Sequence, residues 1–382
     1  ITCRDWSSDV CSSDLNNVVL DDANIWLYPS RINDYPSLAI GEFQNFSGDD
    51  FHQFGIHWKF NNSNPWILGT YFDNMESFEP QDLVFGDDLV SWDFDELENR
   101  RIHLFYGRKL SDLFFGTRLT VINSSSTYED EDAESEEKES ISYYNLSLGL
   151  TEGSGVWDVA VDFGLGTWTD EDEDGEAETE PDGFMDLSLM GRYFKQMNPS
   201  YTIVPHAGFM YSKRGAKYPN DPEDADDDEN WSTSAFVLQA GLGLNYTPAT
   251  NVFAVADFGL TMYKASGDYE FPFGEGDELG TEEYNRSELW LPYFRIGLDA
   301  DVFRWMDVRL GATSTWTRAK DEFVNIDEET EAFKRNFADN ETYLGFGFHW
   351  NRLHIDTYTD PRLFLDGLNF ISGEENEMNF RI

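Results

Sequence analysis

The sequence predicts an all-β chain, a transmembrane antiparallel up-and-down β-barrel of about sixteen strands, with fourteen as the alternative count. Three observations predict it. Apolar and polar residues alternate with a period of two over long stretches. The connections between those stretches are tight and long in turn. No run of about 18 apolar residues is present that could cross a membrane as a helix.

The alternation is plainest from Ser234 to Ala265. Phe236, Leu238, Ala240, Leu242, Leu244 and Tyr246 alternate with Val237, Gln239, Gly241, Gly243 and Asn245; after the turn TPATN, Val252, Ala254, Ala256, Phe258, Leu260 and Met262 oppose Asp257, Gly259 and Thr261. Only an extended strand turns a period of two into two faces. The same pattern recurs at Asp158 to Gly166, Phe294 to Val302, Asp307 to Thr313 and Tyr343 to Trp350, with Gly, Asp, Arg and His in the polar row. Aromatic residues make up 16% of the chain, and several stand near strand ends, as in the aromatic girdles of membrane barrels.

Tight connections are expected at Asn61 to Pro65, Lys109 to Asp112, Gly153 to Gly155, Gln196 to Ser200, Thr247 to Asn251, Phe303 to Trp305 and Asn351 to Arg352, where Asn, Pro, Gly and Ser supply turn chemistry. Long ones are expected after Phe43, after Phe72, in five acidic segments, and from Asp360 to Glu375. Short turns on one rim and long loops on the other are the outer-membrane arrangement.

Formal charge is −48, which excludes nucleic acid as a partner through repulsion from phosphates. Five segments, Tyr128 to Glu139, Asp170 to Asp182, Asn220 to Glu229, Asp268 to Glu283 and Asp321 to Glu341, hold 39 of the 74 acids and three bases. They read as solvated extracellular loops that attract divalent cations diffusely. Asp170, Asp172 and Asp174, followed by Gly175, match the first half of a calcium loop. Pro181 stands where the bidentate Glu belongs, so these three are weak cation ligands and no specific metal site or cofactor is expected.

Residues 1–15, ITCRDWSSDVCSSDL, hold both cysteines and resemble translated sequencing-adapter read-through, so they are set apart from the fold. Residues 16–35 form an irregular or single-turn segment, periplasmic or lumenal, and residues 36–382 form the barrel domain. The final EMNFRI is too short for a crossing, so the last strand is expected to be truncated, with a weak or open seam near Leu38 to Phe43.

Eleven polar residues fall on the inward row and are the candidate lumen lining: Arg118, Asp162, Asp186, Arg192, His206, Asp257, Arg295, Asp299, Arg309, His349 and Asp356. Their mixed signs suit either a hydrated conduit or a wall whose charges satisfy one another. His206, His349 and Asp356 could also serve acid–base chemistry, yet no nucleophile motif accompanies them, and the chain is not expected to be an enzyme. Glycines at 164, 166, 208, 241, 243, 259, 297, 311, 345 and 347 either let the wall curve or make room for an inserted segment such as 16–35.

The stretch DDANIWLYPSRI, acidic, small and aromatic residues ahead of a Pro, resembles the N-terminal segment of bacterial outer-membrane barrels of the FadL and PorV type. The resemblance implies an N-terminal segment near or in the lumen and about fourteen strands; Tyr28 departs from it, and no binding residue carries over. The expected function is a porin-like channel or transporter that passes small solutes across a Gram-negative outer membrane. The alternative is an occluded barrel acting as a surface or secretion-partner scaffold. Either would have outer-membrane lipid and the barrel-insertion machinery as partners.

Overall fold

The structure, a computed structural model, describes residues 17–45, 50–61, 65–75, 99–130, 135–171, 177–181, 184–218, 229–272, 279–324, 330–351, 353–359 and 378–381. The strands are β1 (Ala39–Asn45), β2 (Asp50–Phe60), β3 (Trp66–Met75), β4 (Asn99–Leu110), β5 (Leu113–Asp130), β6 (Ser135–Glu152), β7 (Trp157–Glu171), β8 (Ala177–Pro181), β9 (Phe184–Tyr193), β10 (Lys195–Asn198), β11 (Tyr201–Tyr218), β12 (Glu229–Ala249), β13 (Val252–Pro272), β14 (Leu279–Phe303), β15 (Met306–Val324), β16 (Thr330–Trp350), β17 (Leu353–Thr359) and β18 (Met378–Arg381). The strands form one antiparallel sheet in which each pairs with its sequence neighbours, except that β8, β9 and β10 pair with β7 or β11 and not with one another. Because β8, β9 and β10 are successive pieces of one position between β7 and β11, eighteen strands occupy the sixteen positions that the sequence predicts.

The two faces are those set by the period of two. On β12 and β13, Leu242 is 53% and Phe258 54% exposed, while Asp257 between the apolar residues is 1% exposed. Val159, Phe163, Leu165, Phe294, Ile296 and Leu310 are exposed in the same way. Two turn residues adopt the left-handed backbone that a two-residue reversal needs, Ser111 (φ 56°) and Asn351 (φ 61°). At the β10–β11 reversal the Asn198 side chain accepts from the backbone N–H groups of Ser200 (2.8 Å) and Tyr201 (3.1 Å).

Three expectations need correction. The acidic segments are in large part strand, not loop: β13 and β14 stay paired out to Pro272 opposite Leu279, and β15 and β16 out to Val324 opposite Thr330. Residues 330–342 are exposed at every position, so this stretch of β16 continues into water with its backbone bonds satisfied by β15, while Asp321 on the β15 arm is buried against Arg335 and Tyr284. The connection expected to be long after Phe43 spans only residues 46–49, since Asn45 already pairs with Asp50. The turn expected at Gln196 to Ser200 is shorter, because Lys195 and Gln196 pair with Ile203 and Thr202. The leader 1–15, the segment 219–228 and the connections 76–98 and 360–377 lie outside the described residues.

β18 joins the ends of the sheet, with four residue pairs to β17 and four to β1. By comparison, β12 and β13 share a ladder from Asn230 opposite Glu270 to Ala249 opposite Val252. The expected weak seam lies here, opposite Glu42 to Asn45. Local opening follows the number of bonds that must break. In amide hydrogen exchange, protection is therefore expected to be lost first in β17, β18 and β1 and last in β12 to β15; uniform protection around the sheet would contradict this.

Candidate functional site

Residues 17–38 pack on the inner face. They contain one turn of helix, α1 (Asn24–Leu27), followed by a 3₁₀ turn at Pro29–Asp34 that Pro29 opens, since its missing N–H costs nothing at a first turn. Val18, Val19, Ile25, Tyr28 and Ile32 are fully buried. The segment runs round the wall near the short turns. Val18 and Val19 pack with Val204 and Val255; Ile25 and Ile32 join Ile67, Tyr71 and Phe105; and His57 Nδ1 donates to the Tyr35 carbonyl at 2.8 Å.

Its backbone is anchored by wall side chains that donate to it. Asn245 donates to the Val18 carbonyl (2.7 Å), Arg192 to that of Val19 (3.0 Å) and Arg118 to that of Trp26 (2.6 Å). Trp26 sits edge-on against Tyr71, His103 and Phe105, with ring centroids 4.9, 4.8 and 5.2 Å away. Burial pushes the Tyr28 phenol up to about 12, so it is a neutral ring beneath the Arg192 guanidinium, 4.3 Å from its centroid.

Asp158 is the centre of the clamp. It is fully buried, and its Oδ2 accepts from Arg31 of the segment (2.8 Å) and from Arg192 of β9 (2.7 Å). Its Oδ1 accepts from Thr151 (2.6 Å), whose hydroxyl accepts in turn from Ser30 (2.7 Å). One carboxylate between two guanidiniums is the paired condition under which a charge tolerates burial.

The eleven candidate residues are placed as follows. Arg118 donates to Ser147 (2.8 Å) and meets Asp162 (3.4 Å). Asp186 pairs with Arg214 (2.9 Å) and accepts from Tyr143 and Ser212. Arg192 belongs to the Asp158 clamp, and His206 pairs with Asp257 (3.0 Å). Arg295 lies over the Tyr293 ring at 4.6 Å. Arg309 contacts Asp299 (3.6 Å), Asp307 (3.3 Å) and Asp356 (2.7 Å), while His349 meets Asp307 at 2.6 Å. The acid–base trio is not assembled: His206 on β11 and His349 on β16 are separated by β12 to β15. Asp158, Arg214, Asp307 and Arg31 are missing from the sequence-derived set. The period of two puts Asp158 and Asp307 in the same inner rows as Asp162 and Arg309, so both were legible there, but nothing in strand periodicity reaches Arg31. Of the weak cation ligands, Asp172 and Asp174 lie outside the described residues, and Asp170 pairs with Thr179 at the end of β7.

The inner glycines divide between two uses. At Gly243 a side chain would collide with Val18, and at Gly116 with the Pro29 carbonyl; at Gly149 a Cβ would stand 2.8 Å from the Ser30 nitrogen. These positions admit the segment. Gly164, Gly166, Gly241 and Gly259 instead lie beneath the rings of Tyr143, Phe184 and Tyr293, which fill the inner face from neighbouring strands.

Outside, exposed apolar rows surround the wall, and aromatic rings stack in series at the short-turn ends. Phe60 stacks on Trp66 (4.2 Å), Tyr201 on Tyr246 (4.4 Å), Phe303 on Trp305 (5.5 Å) and Phe348 on Trp350 (5.8 Å). An apolar outer belt, an aromatic girdle and a charged inner face leave one solvent for the outside, the bilayer. The chain is an outer-membrane β-barrel. No protein-family model and no curated protein sequence matches it. Among solved structures it is similar to the ferric-catecholate import receptor Fiu of E. coli K12, 6% identical over 85% of this chain and 69% of that one, TM-score 0.37. It is also similar to the ferric yersiniabactin uptake receptor FyuA of Yersinia pestis (8% identical, 84% and 68% covered, TM-score 0.38). CdiB of Acinetobacter baumannii is 10% identical, with 90% of this chain and 58% of CdiB covered and a TM-score of 0.40. All three are larger chains, and nothing about ligand or partner passes from them to this barrel.

Two outcomes are expected. Leu242→Arg puts a cation on the outer face and should cost about 2–4 kcal/mol if that position is near the midplane, read from denaturant unfolding out of liposomes. Asp158→Asn leaves Arg31 and Arg192 buried without their carboxylate and should cost about 3–5 kcal/mol; limited proteolysis should then cut near residues 17–38, which the parent protects.

Proposed function

We propose that the barrel passes small polar solutes across the bacterial outer membrane and that residues 17–38 narrow its short-turn, periplasmic end. The observation that carries this is the distribution of contacts on the inner face. The segment follows the arc from β1 to β13, while β14 to β17 carry Asp299, Asp307, Arg309, His349 and Asp356 on that same face. A sixteen-position wall is of the size that encloses an aqueous channel, and one irregular strand of chain is narrow beside it. The likeness of DDANIWLYPSRI to barrels of the FadL and PorV type, which implies a segment near or in the lumen, supports this reading; sixteen positions rather than fourteen depart from that type.

The candidate lining residues would act here as a field of both signs, not as catalysts. Each histidine among them is held by a carboxylate, and the reading assigns the chain no enzymatic step. A second reading, an occluded barrel serving as a surface or secretion-partner scaffold, is favoured by the same pairing of charges and by the clamp on Arg31.

Planar-bilayer recording separates the two. The folded full-length chain is expected to give discrete ohmic steps, and Arg31→Ala, which frees one end of the clamp, to enlarge or destabilise them. Silence from both proteins, with folding verified by resistance to unfolding in cold detergent, would establish the occluded barrel and remove the channel.

A further inference from the structure

The β16–β17 hairpin holds a histidine pair away from the contacts of the inner segment, on the stretch of wall that the proposed conduction leaves open. His349 and His354 are direct cross-strand partners, on either side of the reversal at Asn351. Their side chains therefore leave the same face, and their Nδ1 atoms approach to 2.6 Å, with the ring planes 68° apart. His349 Nε2 lies 2.6 Å from Asp307 Oδ2. An ionised carboxylate can only accept, so Nε2 bears the His349 proton and the Nδ1 of the neutral ring presents a lone pair towards His354. Asp307 is 1% exposed and is itself held by Arg309.

We propose that His349 Nδ1 and His354 Nδ1 bind a divalent transition-metal ion of the copper or zinc kind, with Asp307 as the positioning residue behind His349. With His349 Nδ1 as the acceptor, His354 Nδ1 donates in the free pair; binding the ion moves that proton to His354 Nε2, and the two neutral Nδ1 atoms then act as imidazole ligands of a kind such ions take, whereas calcium and magnesium take oxygen. The carboxylate on the far nitrogen of a ligating histidine sets its tautomer and raises its basicity, which is the relation of Asp307 to His349. Two imidazoles on a tetrahedral ion at bonds of about 2.0–2.1 Å stand roughly 3.3 Å apart. From 2.6 Å the pair has to open by about 0.7 Å to reach that separation. Behind the histidines, carboxylate oxygens of Asp299, Asp301 and Asp307 lie within 4.8 Å of one another, and they place negative potential where the cation would sit. The other described histidines face different partners: His57 the Tyr35 carbonyl and Tyr71, His103 the Asp73 carboxylate, His206 the Asp257 carboxylate.

The test uses the folded full chain in detergent, stripped with a chelator and titrated with Cu²⁺ in the presence of excess Ca²⁺ as a competitor for carboxylate oxygens. One ion per chain is expected, with an electron paramagnetic resonance spectrum showing two coordinated nitrogens. His354→Gln should weaken binding at least tenfold and leave at most one nitrogen. Asp307→Asn should weaken it roughly 10–100-fold while the two-nitrogen signature persists, since the ligands themselves remain. Binding unchanged in His354→Gln, a spectrum of oxygen ligands alone, or no calcium-resistant binding would each overturn the proposal and leave a plain hydrogen-bonded histidine pair.

Discussion

A strand wall with lipid on one side has a single face on which to put its polar side chains, and most of the internal organisation of this barrel follows from that constraint. The outer row is spent on Leu, Phe, Val and Trp, so the carboxylates and guanidiniums of the crossing strands share the inner face. There they stand close together in a medium less polarisable than bulk water, and charge must find charge. Arg118 with Asp162, Arg214 with Asp186, and Arg309 with Asp299, Asp307 and Asp356 are the local solutions.

Asp158 shows how the same requirement recruits a second element. Arg192 could neutralise it alone, yet Arg31 arrives as well, and with it the segment whose apolar side would otherwise be exposed. The segment closes over Ile67, Tyr71 and Phe105, which are apolar residues on an inner face that is otherwise polar. Wall and segment are thus complementary in two ways: apolar surface for apolar surface along β1, β3 and β4, and donors for orphan carbonyls at Val18, Val19 and Trp26. Glycine at 116, 149 and 243 allows the backbone to come close enough for those bonds to form.

Beyond the belt the constraint lapses, and the hairpins show it. Between residues 330 and 342 both faces of β16 are exposed, and the strand persists because its backbone bonds to β15 do not depend on what the side chains meet. Charge density in a sequence is therefore a poor guide to where such a strand stops. Acidic runs can be strand wherever a neighbour satisfies their backbone, and the expected loops at Asp268 to Glu283 and Asp321 to Glu341 proved to be mostly paired backbone.

The sequence by itself determined the barrel, its sixteen positions, the short-turn rim and which face each residue of a strand takes, because a period of two is a local property that needs no partner to be read. It also named eleven polar residues on β5 to β17, several of which, such as Arg192, His206 and Asp257, are buried in ion pairs, but not Arg214 or Arg31. Only the tertiary structure decided which charges meet, since Asp158 and Arg31 are 127 positions apart in the chain and their contact depends on the path of an irregular segment that has no period. The approach of His349 and His354 depends likewise on the register of one hairpin, because a slip of one residue would have turned the two rings to opposite faces.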